Sequence, residues 1–301
     1  MITRKVASEL LKKKTNIMEH LRQNKASDTN DVSSIGIAYD LQTGSYIEDL
    51  KDPAMSRFKD TYGKELAGII NAMDCVTVLE AGIGEGTMLR CTYPHLVRSS
   101  TTGLYGFDIS WSRIRCGGDY LSEGGIHIEA AVGELAHPPY RSSSIDVVYT
   151  SHAIEPNRGR EREIISQLYR VARKYLILLE PSYENASNDG KKYMDKHRFC
   201  MNIEKTVNDL QYEVLEYRQF VSFNELNPTW LMVIKKDHTG GMVEDVDGLH
   251  EVYACPSCEQ SITLIDSNYY CSHCFMIFPV IRGIPCLLRD KGILGSWYLR
   301  S

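Results

Sequence analysis

The chain has 301 residues, 43% apolar and 24% charged, with a formal net charge of −5. It is long enough for one large domain plus a small one, with a core that needs no disulfide scaffold. No apolar run reaches bilayer-spanning length, no apolar signal core follows the basic residues at the start, and the acidic balance disfavours a broad phosphate-gripping face, so a cytoplasmic protein without membrane contact is expected.

Residues 1 to about 30 read as helical. Arg4, Lys5, Lys12, Lys13, Lys14, Arg22 and Lys25 stand there against Glu9 and Glu19. A nucleic acid is one partner for such a cluster; a solvated helix face is the plainer reading. The polar stretch "NKASDTNDVSS" reads as a linker. Helical spacing recurs over 57–73, and "VTVL" (76–79) reads as a buried parallel-type strand. A helix is expected after Gly86. Further strands follow at 103–110, 126–133, 144–153 and 175–182. Between the last two, a helix over 160–174 carries Ile164, Ile165, Leu168 and Val171 on one face. "EVLEYRQFV" and "TWLMVIKK" read as a closing antiparallel pair. Strands alternating with helices predict an α/β, doubly wound, Rossmann-like sheet. The texture turns polar and glycine-containing from Lys235. This divides the chain into an N-terminal helical segment and linker (1–35), the α/β domain (36–240) and a small C-terminal domain (241–301).

The stretch "VLEAGIGEGTML" (78–89) places Gly82, Gly84 and Gly86 after a strand that ends near Glu80. Ligands of open α/β sheets bind at the carboxyl edge, where glycine lets them lie against bare backbone and the next helix offers its amides. The spacing is G-x-G-x-G, not the dinucleotide G-x-G-x-x-G. Glu80 would repel a pyrophosphate and favour an ammonium group. Asp108, ending the second strand, is placed to take two ribose hydroxyls. An amino group plus a ribose without phosphate describes S-adenosylmethionine.

With these residues the chain resembles the class I S-adenosylmethionine-dependent methyltransferases over roughly Val76 to Ser182. "VLEAGIGEGTML" is similar to their first motif and "GLYGFDIS" to the strand whose acid holds the ribose. "GELAHPPYRSSSIDVVYTSHAIE" resembles the segment around their fourth strand. The resemblance implies that Gly133 and Glu134 lie beside the adenine, that Asp146 starts the fourth strand, and that Ser151 borders the cofactor at its end. Glu134 replaces a more usual Asp, and the family's Pro-Gly-Gly turn before the fifth strand is missing. "IAYDLQTGSYI" (37–47) resembles a Tyr-Asp segment that closes over the cofactor, through Tyr39 and Tyr46.

Methyl transfer needs an aligned nucleophile and a place for its proton. At the end of the fourth strand, "SHAIEPNRGRERE" offers His152 and Glu155 as base or orienting groups. Asn157, Arg158 and Arg160 would hold a polar or acidic substrate; a plain turn and a solvated helix start are the structural alternative. The segment lacks the Asn/Asp-Pro-Pro-aromatic motif of amino-group methyltransferases, and "NPTW" (227–230) is not at that position.

Near the C-terminus, Cys255, Cys258, Cys271 and Cys274 form two CxxC pairs twelve residues apart, the pattern of one tetrahedral Zn²⁺ site. His250 and His273 are not needed as ligands, and the remaining cysteines, Cys75, Cys91, Cys116, Cys200 and Cys286, read as ordinary buried thiols. "CPSC…YYCSHCFMIFPVIRGIPCLL" resembles the small zinc-ribbon activators of tRNA and protein methyltransferases. That implies a structural zinc and a ribbon that docks on its own catalytic domain or on another subunit. The expected function is methyl transfer to O or N of a small molecule, such as a sugar or sugar nucleotide. An RNA methyltransferase and a non-catalytic cofactor-binding scaffold are the alternatives, and a homo-oligomer or protein partner through the ribbon is compatible with each.

Overall fold

A computed structural model describes residues 9–10, 17–22, 29–97, 103–236 and 252–300. Most of the basic N-terminal cluster, the expected boundary near 240 and His250 lie outside the described residues. Helices α1 (Ile17–Arg22), α2 (Val32–Leu41), α3 (Ser45–Asp49) and α4 (Pro53–Asn71) precede the sheet. Its strands are β1 (Thr77–Ala81), β2 (Gly103–Asp108), β3 (Glu129–Val132), β4 (Ile145–Ser151), β5 (Ala172–Pro181), β6 (Glu213–Gln219) and β7 (Thr229–Lys235). They lie in the order β3-β2-β1-β4-β5-β7-β6, with β1 to β5 parallel and β7 antiparallel to both β5 and β6. The chain reverses at β1, between β2 and β4, which opens a crevice at the strands' carboxyl ends.

Successive side chains of each strand go to opposite faces. Leu79, Val148 and Leu178 join one apolar layer with Ile164, Ile165 and Leu168 of helix α7 (Glu161–Val171). Val78, Val147, Tyr149 and Ile177 join the other with Tyr62, Leu66 and Ile70 of α4. Asp146, fully buried at the opposite edge, accepts from Val76 N at 2.8 Å and from Arg173 Nε at 2.8 Å, so it locks β1 to β4 far from the crevice. The missing Pro-Gly-Gly turn has a substitute. Helix α7 passes directly into β5, and Lys236 Nζ donates to the carbonyls of Tyr169, Arg170 and Ala172.

One sequence expectation changes. The linker reading ends too late, because α2 begins at Val32 and crosses 35/36 with Ile35 and Ala38 buried. Its apolar residues are spread around the helix, so no single apolar face marked its period. Helices α5 (Thr87–Thr92) and α6 (Trp111–Glu123) follow β1 and β2. Helices α8 (Asn188–His197) and α9 (Ile203–Asp209) fill a stretch after β5 left unassigned.

The C-terminal domain carries β8 (Thr263–Ile265), β9 (Asn268–Tyr270), β10 (Met276–Ile281), β11 (Ile284–Pro285) and β12 (Ile293–Leu294). It docks on the β3 edge of its own chain. Cys286 pairs in parallel with Val132, and Leu287 N donates to Val132 O at 2.8 Å. Tyr140 pairs with Tyr253, their ring centroids 5.4 Å apart, and Phe278 and Leu287 join the core around Phe107. Among the described residues, no helix is long and apolar enough to cross a membrane.

Candidate active site

One cavity of about 580 Å³ lies at the carboxyl ends of β1, β2 and β4. Gly82, Gly84, Glu80, Asp108, Gly133, Glu134, Ser151, His152 and Glu155 all line it. Gly86 stands behind it: with φ 69° it starts α5, and a Cβ there would press on Leu121 of α6. Gly82 has φ 76°, and a Cβ would collide with the Cβ of Ala153, so glycine lets the loops after β1 and β4 touch.

Glu80 is 3% exposed. Tyr149 Oη donates to its Oε2 at 2.8 Å. Burial pushes its carboxyl pKa up to about 8, against the opposing effects of Tyr149 and Lys59. Asp108 accepts from Gly84 N at 3.0 Å and Ser110 N at 2.9 Å, and burial raises its pKa too. Glu85, fully buried inside the glycine loop, accepts from Gly44 N and Ile47 N and pairs with Arg113 at 3.5 Å. Arg113 donates to Tyr39 O at 2.7 Å, and its guanidinium carbon lies 4.2 Å from the Tyr46 ring centroid. Asp40 receives Ser110 Oγ and Ser112 N. Together these contacts hold α2 and α3 over the cavity, where Tyr39 and Tyr46 line it. Arg113 Nη2 is buried without a hydrogen-bond partner, in a guanidinium that packs on the rings of Tyr39 and Tyr46.

At the β4 end, His152 has φ 55°, uncommon for a residue with a side chain. Its Nδ1 meets Glu155 Oε2 at 2.5 Å and its Nε2 meets Thr229 Oγ1 at 2.8 Å. Burial lowers the imidazole pKa, but the Glu155 hydrogen bond and charge outweigh this and hold it above the usual value. Glu180, at the end of β5, accepts from the amides of Ala153, Ile154 and Glu155 and so shapes this turn. Burial pushes Glu180 up to about 7. Asn227 Nδ2 donates to Glu155 Oε2 at 3.1 Å. Ser151 Oγ lies 3.0 Å from Tyr62 Oη.

Arg158 and Arg160 do not line the cavity. Arg158 pairs with Asp195 at 2.9 Å and donates to Phe199 O, while Arg160 pairs with Glu134 at 2.7 Å and with Glu163. Packing of α8 and of the β3 loop supplied carboxylates that the local sequence did not disclose. Asn157 does line it, donating to Ala153 O. The "NPTW" segment, which the sequence set aside, brings Asn227 and Thr229 to His152, because antiparallel β7 starts at the edge where parallel strands end. Glu180 carried a signal that was passed over: like Glu80, it is an acid closing an apolar strand.

The four cysteines converge. Their Sγ atoms all lie within 4.8 Å of one another, with contacts of 3.5, 3.5 and 3.7 Å. Four sulfurs around a tetrahedral ion at about 2.3 Å would be about 3.8 Å apart, so the set fits zinc. Each pair closes with a left-handed residue, Glu259 and Phe275. Among the described residues no histidine joins the group, and His273 is exposed.

No known sequence family matches this chain, and no curated protein does. Among solved structures, it is similar to magnesium protoporphyrin IX methyltransferase from Synechocystis PCC 6803 with bound SAH. The TM-score is 0.51 at 14% identity, over 67% of this chain and 99% of that one. A SAM-dependent methyltransferase from Aquifex aeolicus aligns at TM-score 0.46 and 16% identity, over 64% of this chain and 97% of its own. At 14% identity the likeness to the first of these is one of fold: a Rossmann-like methyltransferase sheet.

Proposed function

We propose that this chain is an S-adenosylmethionine-dependent methyltransferase acting on O or N of a small molecule, with a structural zinc in its C-terminal domain. The observation that carries the reading is the convergence of Glu80, the glycine loop and Asp108 on one cavity whose far end holds the His152–Glu155 pair. The residues fit the cofactor in charge and position: Asp108 for ribose hydroxyls, Glu80 for the ammonium, Arg113 Nη2 as an unpaired donor for the carboxylate. S-adenosylmethionine supplies a methyl group on a sulfonium sulfur, open to in-line attack. The protein contributes position, exclusion of water by Tyr39 and Tyr46, and a proton acceptor. Because Arg158 and Arg160 are neutralised elsewhere, the reading moves away from a phosphate-bearing acceptor. RNA as acceptor rests on the basic residues near the start, most of which lie outside the described residues.

Calorimetry tests the cofactor. Asp108→Ala removes charge-assisted contacts of about 1.5–3 kcal/mol each, so the Kd for S-adenosylmethionine should rise roughly tenfold to over a hundredfold. Unchanged affinity in a folded variant would refute the assignment. A second expectation concerns pH. Unliganded Glu80 is protonated below about 8, and an ammonium group favours its carboxylate form. Binding should therefore release a proton, and affinity should climb as pH rises toward 8. Buffers of different ionisation enthalpy would count that proton, and Glu80→Gln should abolish it.

A further inference from the structure

The acceptor end of the cavity has a chemistry of its own. Phe58 and Phe223, both lining the cavity, pack against each other with ring centroids 5.3 Å apart and planes tilted by 52°, and Phe58 also meets Tyr62 edge-on at 5.8 Å. Phe223 is 54% exposed, on the loop between β6 and β7. An exposed ring beside a cavity is an unfilled stacking surface. Cations are scarce there. Arg158 and Arg160 are turned away into ion pairs; Lys59 does line the cavity, its Nζ 3.1 Å from Met88 Sδ, but its charge is set against the carboxyl groups of Glu80 and Glu155.

The polar groups select further. Asn227 is 8% exposed and lines the cavity. Its amide nitrogen must face the Glu155 carboxylate, which only accepts, and this leaves Oδ1 buried with no partner. A buried acceptor without a donor is costly until a ligand supplies one. It stands beside His152, since both side chains meet the same oxygen, Glu155 Oε2. The site thus wants a ligand with adjacent hydrogen-bond donors and no negative charge. An amine fits poorly, because Glu155 would hold it as ammonium, which has no lone pair to give.

We propose that the acceptor is an uncharged phenol, its ring lying on the exposed face of Phe223, its reacting hydroxyl on His152 Nε2 in place of Thr229, and a neighbouring donor on Asn227 Oδ1. This rests on the methyl-transfer reading above. The hydroxyl proton passes to His152 Nε2, and the oxygen lone pair forms a bond to the methyl carbon. The carbon–sulfur pair stays on sulfur, leaving a neutral thioether, and the proton leaves His152 for solvent. Proton affinity agrees with the choice. A phenol near pKa 10 lies about three units above a histidine, whereas an aliphatic hydroxyl, close to water at about 15.7, lies about nine above. A sugar hydroxyl would need a stronger base than this pair.

The test incubates the full-length protein with S-adenosylmethionine and catechol, phenol, methyl glucoside or UDP-glucose, with methylated product read by mass spectrometry. Catechol should be methylated, with a KM about tenfold below that of phenol, which lacks the second donor. Asn227→Leu should erase that KM ratio, and the ratio is readable even if overall activity falls. Phe223→Ala should raise the catechol KM three- to tenfold without changing the Kd for S-adenosylmethionine. Methylation of UDP-glucose or methyl glucoside but not catechol would overturn the proposal and leave the methyltransferase reading standing. Normal cofactor binding with no turnover of any of the four would do the same. Failure of the wild-type protein to bind S-adenosylmethionine would instead bring down the methyltransferase reading, and this proposal with it.

Discussion

His152→Asn is expected to lower kcat by about 10²–10⁴-fold while cofactor affinity stays within about twofold. Asparagine is the informative replacement because it tolerates the left-handed backbone found at this position. The remaining effect is then that of the imidazole. Glu155 acts through it, as a positioning residue whose carboxylate orients the ring and raises its basicity. The sign of the pH dependence follows. A base must be neutral to accept a proton, so activity should rise with pH through a pKa held above the ordinary histidine value. The groups that face the ring are Glu155, Glu180 and, with the opposite effect, Lys59. Glu155→Gln removes the main cause of the upward shift, so the acid limb of the rate profile should move to lower pH while kcat falls. Steady-state methylation of the acceptor identified by the substrate panel checks both. A limb that stays put in Glu155→Gln would mean that His152 is not the titrating group.

Loss of the cysteine centre should have the second large effect. The described C-terminal residues form short strands of two to six residues with a small core of their own. A four-thiolate zinc site in such a module contributes about 10–16 kcal/mol of apparent binding free energy, much of it folding free energy. Cys271→Ser is expected to take zinc from about one per chain to near zero and to lower Tm by several degrees. The consequence reaches the cofactor. Leu287 N holds Val132 O, and the next two residues are Gly133 and Glu134 of the cavity wall. Trp111, which starts the helix after Asp108, donates to Ile281 O. The Kd for S-adenosylmethionine should therefore rise several-fold in the zinc-free protein, and the uncovered surface around Phe107 and Tyr140 should promote aggregation. Metal analysis, thermal unfolding and calorimetry on one sample decide the matter. Full affinity and unchanged Tm without metal would show that the module is dispensable.

Much of this was written locally in the chain. The continuously buried run of β4, the amphipathic period of α7, the glycines after β1 and the acids closing β1 and β2 each lie within a dozen residues. The same holds for the CxxC pairs, whose spacing alone brings two thiols together. Helix α2 was harder to read because its apolar residues are spread around it and mark no single face. Gly86 shows the limit of a motif: it belongs to the glycine loop but serves the packing of α5 against α6.

The sequence by itself determined the layered α/β fold, the identity of the cavity-lining acids and the four-cysteine set, because secondary-structure period, backbone freedom and ligand spacing are short-range properties. Only the tertiary structure decided which groups stand together at the acceptor end. His152 takes its partners from Glu155 and from Thr229 on an antiparallel strand, with Asn227 closing on the same carboxylate. It also decided that Arg158 and Arg160 are spent on Asp195 and Glu134, and that the cysteine domain covers β3 of its own chain. Those outcomes depend on which distant segments packing brings within a hydrogen bond, and no local pattern of residues encodes that choice.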